Sequence, residues 1–444
     1  MTMRTFGNSD EIFEYLLNFV NVEKGQKTEF KLDRMRSLCS ALGNPESAYP
    51  TIHVAGSKGK GSVSTMTARI LEASGRRVGL YTSPHLLRWK ERISLAGTEM
   101  PEAILLRAMD ELMPLVDGKG PADFVGDELP TYFELTTLLG FLAFRLAGCD
   151  AAVIETGLGG RLDSTNVVAS AASVITPIEL EHTEWLGDTI AKIAFEKAGI
   201  IKPGRPCIVS RQKPEARAVF RDTCAERGSP LREVESLVAV EELVIDRSGT
   251  RAGLRFLEGR PFAETLHVRT PLIGTVQAEN MALALLAAAE IEPSLSPEAA
   301  AEGLARASLP ARFEILKLAP PVVLDGAHTP NSVRLCLESF EALFPGPKAL
   351  LFACAVDKHH EELAAILAKR FGSVIVTKPG TFKESAPDIV ERSFRAAGAE
   401  SRLIVDTAEA IRTARAEAAE AGIPLLVTGS FYLCAEAAAL LAKA

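Results

Sequence analysis

Two rhythms of apolar residues divide this chain. Short uninterrupted apolar runs at 51–55, 78–81, 151–154 and 173–176 have the length and the flanking turns of strands buried on both faces. Between them, apolar positions recur every three or four residues, which predicts helices. In chain order these are 10–20, with Asp10 as N-cap, and 33–42, closed by Gly43 and Asn44. A third runs from Val63 to a stop at Gly75, a fourth covers 131–146, and a fifth covers 188–198, with Asp188 as cap and Gly199 as stop. A strand at 205–210 and a helix at 214–227 continue the alternation. From 231 to 272 the pattern changes to short strands with turns at Ser248-Gly249 and Glu258-Gly259, which predicts a small antiparallel excursion. An alanine-rich helix at 279–291 and a linker at 308–312 precede a fresh series of strands at 322–324, 349–353, 373–377, 402–405 and 424–427, separated by helices. Such alternation predicts an α/β fold. A mostly parallel sheet forms the N-terminal domain, and a smaller, doubly wound Rossmann-like α/β domain follows. The linker places the boundary between 1–308 and 309–444.

Composition narrows the class without changing this picture. The 444 residues exceed one ordinary core, and 47% hydrophobic with 24% charged residues describes a globular protein with ample core material. No apolar run reaches membrane-spanning length, and residues 1–11 are polar and mixed, so neither a membrane span nor a secretory leader is expected. Seven scattered cysteines without C-x-x-C spacing read as buried reduced thiols, which points to the cytoplasm. A net charge of −8 argues against a nucleic-acid binder, so anionic ligands must be held by local clusters.

The richest of those clusters follows the first apolar run. Thr51-Ile-His-Val-Ala-Gly-Ser-Lys-Gly-Lys-Gly-Ser62 reads as strand, glycine-rich turn and helix start. Glycines at 56, 59 and 61 let backbone N–H groups point into one concavity, and the helix behind adds its positive end. Lys60 supplies a charge for β/γ-phosphates and Ser62 a hydroxyl. The spacing departs from G-x-x-x-x-G-K-[ST], because Gly61 stands where a metal-binding hydroxyl normally follows the lysine. A nucleotide's magnesium must therefore find another hydroxyl, and Ser83, just after the strand at 78–81, is the candidate. Glu155 ends the next dense strand, in the position of a Walker-B carboxylate. Arg88, Lys90, Glu91 and Arg92 around Trp89 suit either an anionic substrate or a solvated loop, and 117–130 has the Gly/Pro/Asp content of a functional loop. Glu155, His182 and a lysine of the 188–198 helix, if they converge, would form a second metal site.

Five motifs, Gly56-Ser-Lys-Gly-Lys-Gly-Ser62, Tyr81-Thr-Ser-Pro-His85, Glu155-Thr-Gly-Leu-Gly-Gly-Arg161, Glu196-Lys-Ala-Gly-Ile200 and Asp325-Gly-Ala-His328, occur in one order across nearly the whole chain. Together they resemble the folylpolyglutamate synthase/dihydrofolate synthase family of the Mur ligase superfamily. The resemblance implies a P-loop ATPase domain, a Rossmann-like domain, and substrates in the cleft between them. It also implies ATP-driven amide formation between a folate or dihydropteroate carboxylate and L-glutamate. Gly56, Ser57, Lys58, Gly59, Lys60, Gly61 and Ser62 would then cradle the ATP phosphates, with Lys60 catalytic. Asn280, Arg312 and Asp325 would contact adenine, phosphate and ribose. Ser83 and Glu155 would bind a first Mg2+, and Glu155, His182 and Lys197 a second. Lys197 matches a carbamylated family lysine, and a carbamate offers the oxygen ligands that an ammonium cannot. K+ is a further candidate cation. Thr131, Tyr132, Phe133, Glu134, Arg161, Leu162 and Asp163 match the pterin-side pocket, and His328 is the candidate general base. A monomer acting on small molecules, with neither nucleic acid nor membrane as partner, is the expectation.

Four positions depart from the family pattern: Ser57-Lys58 for Thr-Asn, Val276 for His, Thr329 for Asn, and His359 for a second Asp after Asp357-Lys358. None removes a metal ligand. Two other readings compete. A ligase of cell-wall precursors is weakened by the roughly fifty residues before the P-loop, too few for a sugar-nucleotide domain. A P-loop ATPase without ligase chemistry leaves the second metal site and second α/β domain unexplained.

Overall fold

A computed structural model describes residues 4–20, 31–355, 359–378, 380 and 385–442. Helices α1 (Ser9–Leu17) and α2 (Lys31–Ala41) precede β1 (Thr51–Ala55), α3 (Lys60–Ala73) and β2 (Val78–Tyr81). The short β3 (Ile93–Leu95) and β4 (Thr98–Glu99) lead to α4 (Glu102–Val116), α5 (Tyr132–Leu146), β5 (Ala151–Glu155) and β6 (Ala172–Ile175). Then follow the single turn α6 (Thr183–Leu186), α7 (Ile190–Ala198), β7 (Cys207–Val209), α8 (Pro214–Glu226) and β8 (Leu231–Glu233). Eight strands form one sheet in the order β4-β3-β2-β5-β1-β6-β7-β8. From β2 to β8 all pairings are parallel, while β3 and β4 add an antiparallel edge. Every residue of β1 and β5 is buried, as strands covered on both faces require. One face packs on α1, α2, α4 and α5 through Leu16, Met35, Met109, Leu138 and Phe144. Ile193, Ala198, Ala216 and Phe220 of α7 and α8 cover the other.

A turn, α9 (Val234–Leu237), leads to β9 (Val238–Asp246), β10 (Gly249–Phe256) and β11 (Leu266–Thr270), which form a three-stranded sheet in the order β11-β10-β9. The excursion anticipated from 231 thus begins later, because β8 joins the large sheet beside β7. Helices α10 (Gln277–Ala289) and α11 (Pro297–Ala305) follow.

The second α/β sheet is built from β12 (Glu314–Leu316), β13 (Val322–Asp325), α12 (Pro330–Leu343), β14 (Ala349–Phe352), α13 (His360–Ala368) and β15 (Ser373–Val376). It is completed by α14 (Pro387–Ala396), β16 (Glu400–Leu403), α15 (Thr407–Ala421), β17 (Leu425–Thr428) and α16 (Phe431–Leu441). Its order is β12-β13-β17-β14-β15-β16, parallel except for β12. Phe340, Phe352, Phe371 and Phe394 fill its core. Residues 244–250, 270–277 and 308–444 make one compact unit, and the remainder of the chain the other.

Capping chemistry relocates several helix ends. Asn8, not Asp10, caps α1, its side chain accepting from the Glu11 N–H. Thr189, not Asp188, caps α7, while exposed Asp188 pairs with Lys192 at 2.9 Å. Gly199 ends α7 with φ of −55°, so left-handed backbone is not its purpose. Its purpose is close approach: a Cβ there would lie 2.3 Å from Arg161 Cα. All seven cysteines are buried and free, so none forms a disulfide.

The entrance to α5 holds a buried ion pair. Thr131 caps the helix and Glu134 returns a bond to the Thr131 N–H at 2.7 Å, completing a capping box. Arg34 from α2 donates to both Glu134 oxygens, Nε to Oε1 at 3.0 Å and Nη2 to Oε2 at 3.1 Å, and both side chains are almost fully buried. Glu134→Ala should therefore destabilise the fold by about 3–5 kcal/mol, toward the lower figure because Glu128 also meets Arg34 at 3.3 Å. Urea unfolding measures this, and an unchanged midpoint would show the pair to be dispensable.

Candidate active site

Several chain segments meet at the C-terminal ends of β1, β2, β5 and β6, where parallel sheets gather ligands. Gly56 leaves β1 with φ of 145°, and a Cβ there would fall 1.8 Å from Thr176 Oγ1, so only glycine fits. Ser57 and Lys58 donate their N–H groups to Pro177 O at 3.0 and 3.4 Å, and the Ser57 hydroxyl donates to Glu179 O at 3.2 Å. The turn is thereby tied to the segment after β6. Gly59 caps α3 in the left-handed region, and Asn280 of α10 stands against it, 3.0 Å from where a Cβ would be. Gly61 and Ser62 lie in the first turn of α3, Ser62 buried.

Cations crowd this loop. Lys60 Nζ donates to Gly56 O at 3.0 Å, and the nearly fully buried Lys197 Nζ donates to the same carbonyl at 2.8 Å. Glu181 balances them: it pairs with Lys197 at 3.1 Å and meets Lys58 at 3.9 Å. Burial would raise the Glu181 pKa, but the charges of Lys197, Lys60 and Lys58 prevail and lower it. Burial lowers the Lys197 pKa to about 8, with the Lys60 charge acting in the same direction. Glu181 thus stands among three lysine ammonium groups at this turn.

Ser83 and Glu155 emerge side by side from β2 and β5, strands paired at Tyr81 and Ile154. The Ser83 N–H points at Glu155 Oε2, 3.4 Å away, and Glu155 is buried. These are hard oxygen donors of the kind magnesium takes. His182 adopts a left-handed cap before α6 and is exposed. Among the described residues no three His, Cys, Asp or Glu side chains are gathered to hold a metal ion. The set read from the sequence for a second cation, Glu155, His182 and Lys197, contains only two side chains of those kinds.

The loop after β5 is built from inside. Asp163 Oδ2 accepts from the Gly157 and Leu158 N–H groups at 3.0 and 2.8 Å, while Oδ1 accepts from Thr165 N and Oγ1 at 3.0 and 2.6 Å. Arg161 pairs with Glu196 at 2.8 Å and lies over the Phe195 ring at 5.5 Å, keeping partial exposure. Leu162, Tyr132 and Phe133 are partly exposed.

Part of the pterin-side set also holds the fold together. Thr131 and Glu134 serve the α5 cap and the Arg34 pair, and Asp163 ties its own loop. Tyr132, Phe133, Arg161 and Leu162 keep surface to offer. The basic cluster is also committed: Lys90 pairs with Glu102 at 2.7 Å, Arg88 with Glu99, and Arg92 donates to His85 Nδ1 at 2.8 Å.

On the C-terminal unit, Asp325 ends β13 and accepts from the Phe313 and Ala327 N–H groups, both at 2.8 Å. Its water-poor surroundings raise its pKa, and Arg312 pulls the other way. Arg312 lies 4.4 Å from the centre of the Phe431 ring, which also meets the His328 ring in a T-shaped contact at 5.8 Å. His328 Nδ1 bonds to Gly326 O at 2.8 Å, which places its proton on Nδ1 and the lone pair on Nε2. Thr329 caps α12 through Ser332, so its departure from Asn preserves a capping side chain. Val276 is exposed just before α10, whereas Asp357-Lys358 lie outside the described residues.

This geometry recurs in known proteins. Residues 54–288 match the Mur ligase middle domain, and 311–431 match the Mur ligase glutamate ligase domain. The folylpolyglutamate synthase of Lacticaseibacillus casei is 35% identical over 90% of this chain and 92% of its own length. The chain belongs to the folylpolyglutamate synthase/dihydrofolate synthase family. A dihydrofolate synthase/folylpolyglutamate synthase of Bacillus subtilis is 35% identical over 75% of this chain and 77% of its own. Mycobacterium tuberculosis folylpolyglutamate synthase, solved with ADP and AMPPCP, superposes with a TM-score of 0.85 at 30% identity, covering 92% of this chain and 95% of that one. Within this Mur-type ligase, Glu181 is the residue that sequence reasoning passed over. It stands beside His182 after a parallel strand, and that position was its available signal. Its pairing with Lys197 arises only when α7 packs against β6.

Proposed function

We propose that this protein joins L-glutamate to the carboxylate of a folate or dihydropteroate acceptor, driven by ATP through an acyl phosphate. The observation that carries this is the gathering of Lys58, Lys60 and Lys197 about the Gly56 turn, with the Ser83–Glu155 pair beside it. Relatives named for this activity, one of them solved with the ATP analogue AMPPCP, support the reading. In it, the backbone from Gly56 to Ser62 and the positive end of α3 take the phosphates, and Asn280 stands on the adenine side. Ser83 and Glu155 would hold Mg2+, which when bound supplies charge neutralisation at the β/γ-phosphates. Arg312 and Asp325 are assigned to phosphate and ribose, and Tyr132, Phe133, Arg161 and Leu162 to the acceptor.

The chain's own groups then do the following. A carboxylate is a poor acyl donor because its oxygen is a poor leaving group. Lys60, at the positive end of α3, draws charge from the γ-phosphoryl group as it passes in line to the acceptor carboxylate. The resulting acyl phosphate has phosphate as its leaving group, and the glutamate amine displaces it. His328, whose Nδ1 is held by Gly326 O, is assigned as the proton acceptor for that amine through Nε2. Lys197 is assigned a carbamate in the working enzyme. Its lowered pKa leaves more neutral amine, the form that combines with carbon dioxide. Forming the carbamate would release Glu181 to Lys58, already 3.9 Å away.

An isotope experiment tests the chemistry. With heavy oxygen in the acceptor carboxylate, a single turnover should place label in inorganic phosphate and leave ADP as nucleotide product. Label in AMP would replace the acyl phosphate by an acyl adenylate. Offering dihydropteroate and tetrahydrofolate separately, with labelled glutamate, decides which acceptor is used.

A further inference from the structure

Beneath the loop after β5 lies a polar chain that the reaction does not use directly. His53, in the middle of β1, is fully buried, and its Nε2 lies 2.9 Å from Thr165 Oγ1. Thr165, equally buried, lies 2.6 Å from Asp163 Oδ1 through the same hydroxyl. Proton counting fixes the direction. A carboxylate only accepts, so the single hydroxyl proton of Thr165 goes to Asp163, and the hydroxyl oxygen must accept from His53. The imidazole is therefore the neutral Nε2–H tautomer. Its Nδ1 is buried without a hydrogen-bond partner, where a second proton would be stranded. Burial and the Lys202 charge both push the imidazole toward this neutral form.

From these contacts we propose that His53 is a positioning residue, which sets the loop after β5 through Thr165 and Asp163. The chain runs His53 Nε2–H to Thr165 Oγ1–H to Asp163, and Asp163 holds the N–H groups of Gly157 and Leu158. Its first member stands three residues before Gly56, on the strand that carries the phosphate turn. Its last members lie between Glu155 and Arg161. The two loops of the site thereby share one buried ruler. The loop has no slack to absorb an error. A Cβ at Gly157 would lie 2.4 Å from the Phe133 ring, and one at Gly160 would lie 2.9 Å from Glu196 O. A small shift of the loop backbone would turn Arg161 away from its place, and such shifts are costly to reactions that depend on alignment.

The test uses Thr165→Val, which keeps the shape and removes the relay hydroxyl, alone and with His53→Leu. It rests on the reading that this loop faces the acceptor. Thr165→Val should lower kcat/KM for the pteroate-type acceptor about tenfold, the size of one lost buried hydrogen bond, while KM for ATP stays as it was. Adding His53→Leu should cost no more, because the chain is already broken. Thr165→Ser and His53→Gln, which each keep the needed donor, should restore most of the rate. Nitrogen-15 spectra of the unmutated, histidine-labelled protein should show the His53 proton on Nε2, and Thr165→Val should move that signal. This readout stands even if His53→Leu fails to fold. Additive losses in the double variant, or a His53 proton found on Nδ1, would overturn the relay. Non-additive losses that appear in KM for ATP would keep the relay and overturn the acceptor-side reading instead.

Discussion

Lys60→Ala should lower kcat for amide formation by about a hundred- to a thousandfold while leaving the melting temperature where it was. Lys60 sits at the first position of α3 and its ammonium bonds to the Gly56 carbonyl of an adjacent loop, so the core loses nothing with it. Its neighbours cannot take its place. Lys197 is held at 3.1 Å by Glu181 and Lys58 shares that same carboxylate, so their charge is already partly answered. Of these three lysines, Lys60 is the one with no carboxylate within ion-pair distance among the described residues, and a transferring phosphoryl group is what would answer it. Rapid-quench kinetics at saturating ATP separates the two effects. A variant retaining most of its rate would place the phosphate elsewhere.

Lys197→Ala should abolish ligation in a protein that remains folded, and short carboxylates at millimolar concentration should restore part of the activity. Removing the side chain frees Glu181, but Lys58 and Lys60 remain near enough to balance it. Full activity in this variant would remove Lys197 from the mechanism. The unmodified amine also makes a stability claim. Its pKa is about 8 in the fold against 10.5 for an ordinary lysine, so between those values the unfolded chain binds a proton that the folded chain has lost. Stability of carbon-dioxide-free protein should therefore rise from pH 8 toward pH 10.5, and Lys197→Ala should lack this increment. Urea midpoints at the two ends of the window measure it, and equal slopes in both proteins would contradict the buried ammonium.

Much of this protein is written locally. The run from Thr51 to Ala55 is apolar, bounded by glycine and followed by helix-forming residues, so strand, turn and helix follow whatever surrounds them. The same holds for 78–81, Glu155 at the end of β5, and the alternation after residue 320. Local patterns also located Lys60, Ser83 and Glu155, because a phosphate turn and a strand-end carboxylate are features of a few consecutive residues.

Other features were decided only when distant segments met. The sequence does not show that Arg34, a hundred positions earlier, takes both oxygens of Glu134. Nor does it show that Asp163 holds its own loop through the Gly157 and Leu158 N–H groups. Gly199 looks like a helix stop, yet its reason is the Arg161 backbone pressed against it. Glu181 has only its place after a parallel strand as a local signal, and His53 has none. One gains its meaning from three lysines drawn from α3, its preceding turn and α7, the other from a threonine 112 residues away. Hydrogen bonds and ion pairs act over about 3 Å, so the chain alone cannot say which polar groups are occupied. Folding brings the partners within that reach, and thereby decides which side chains are left to do chemistry.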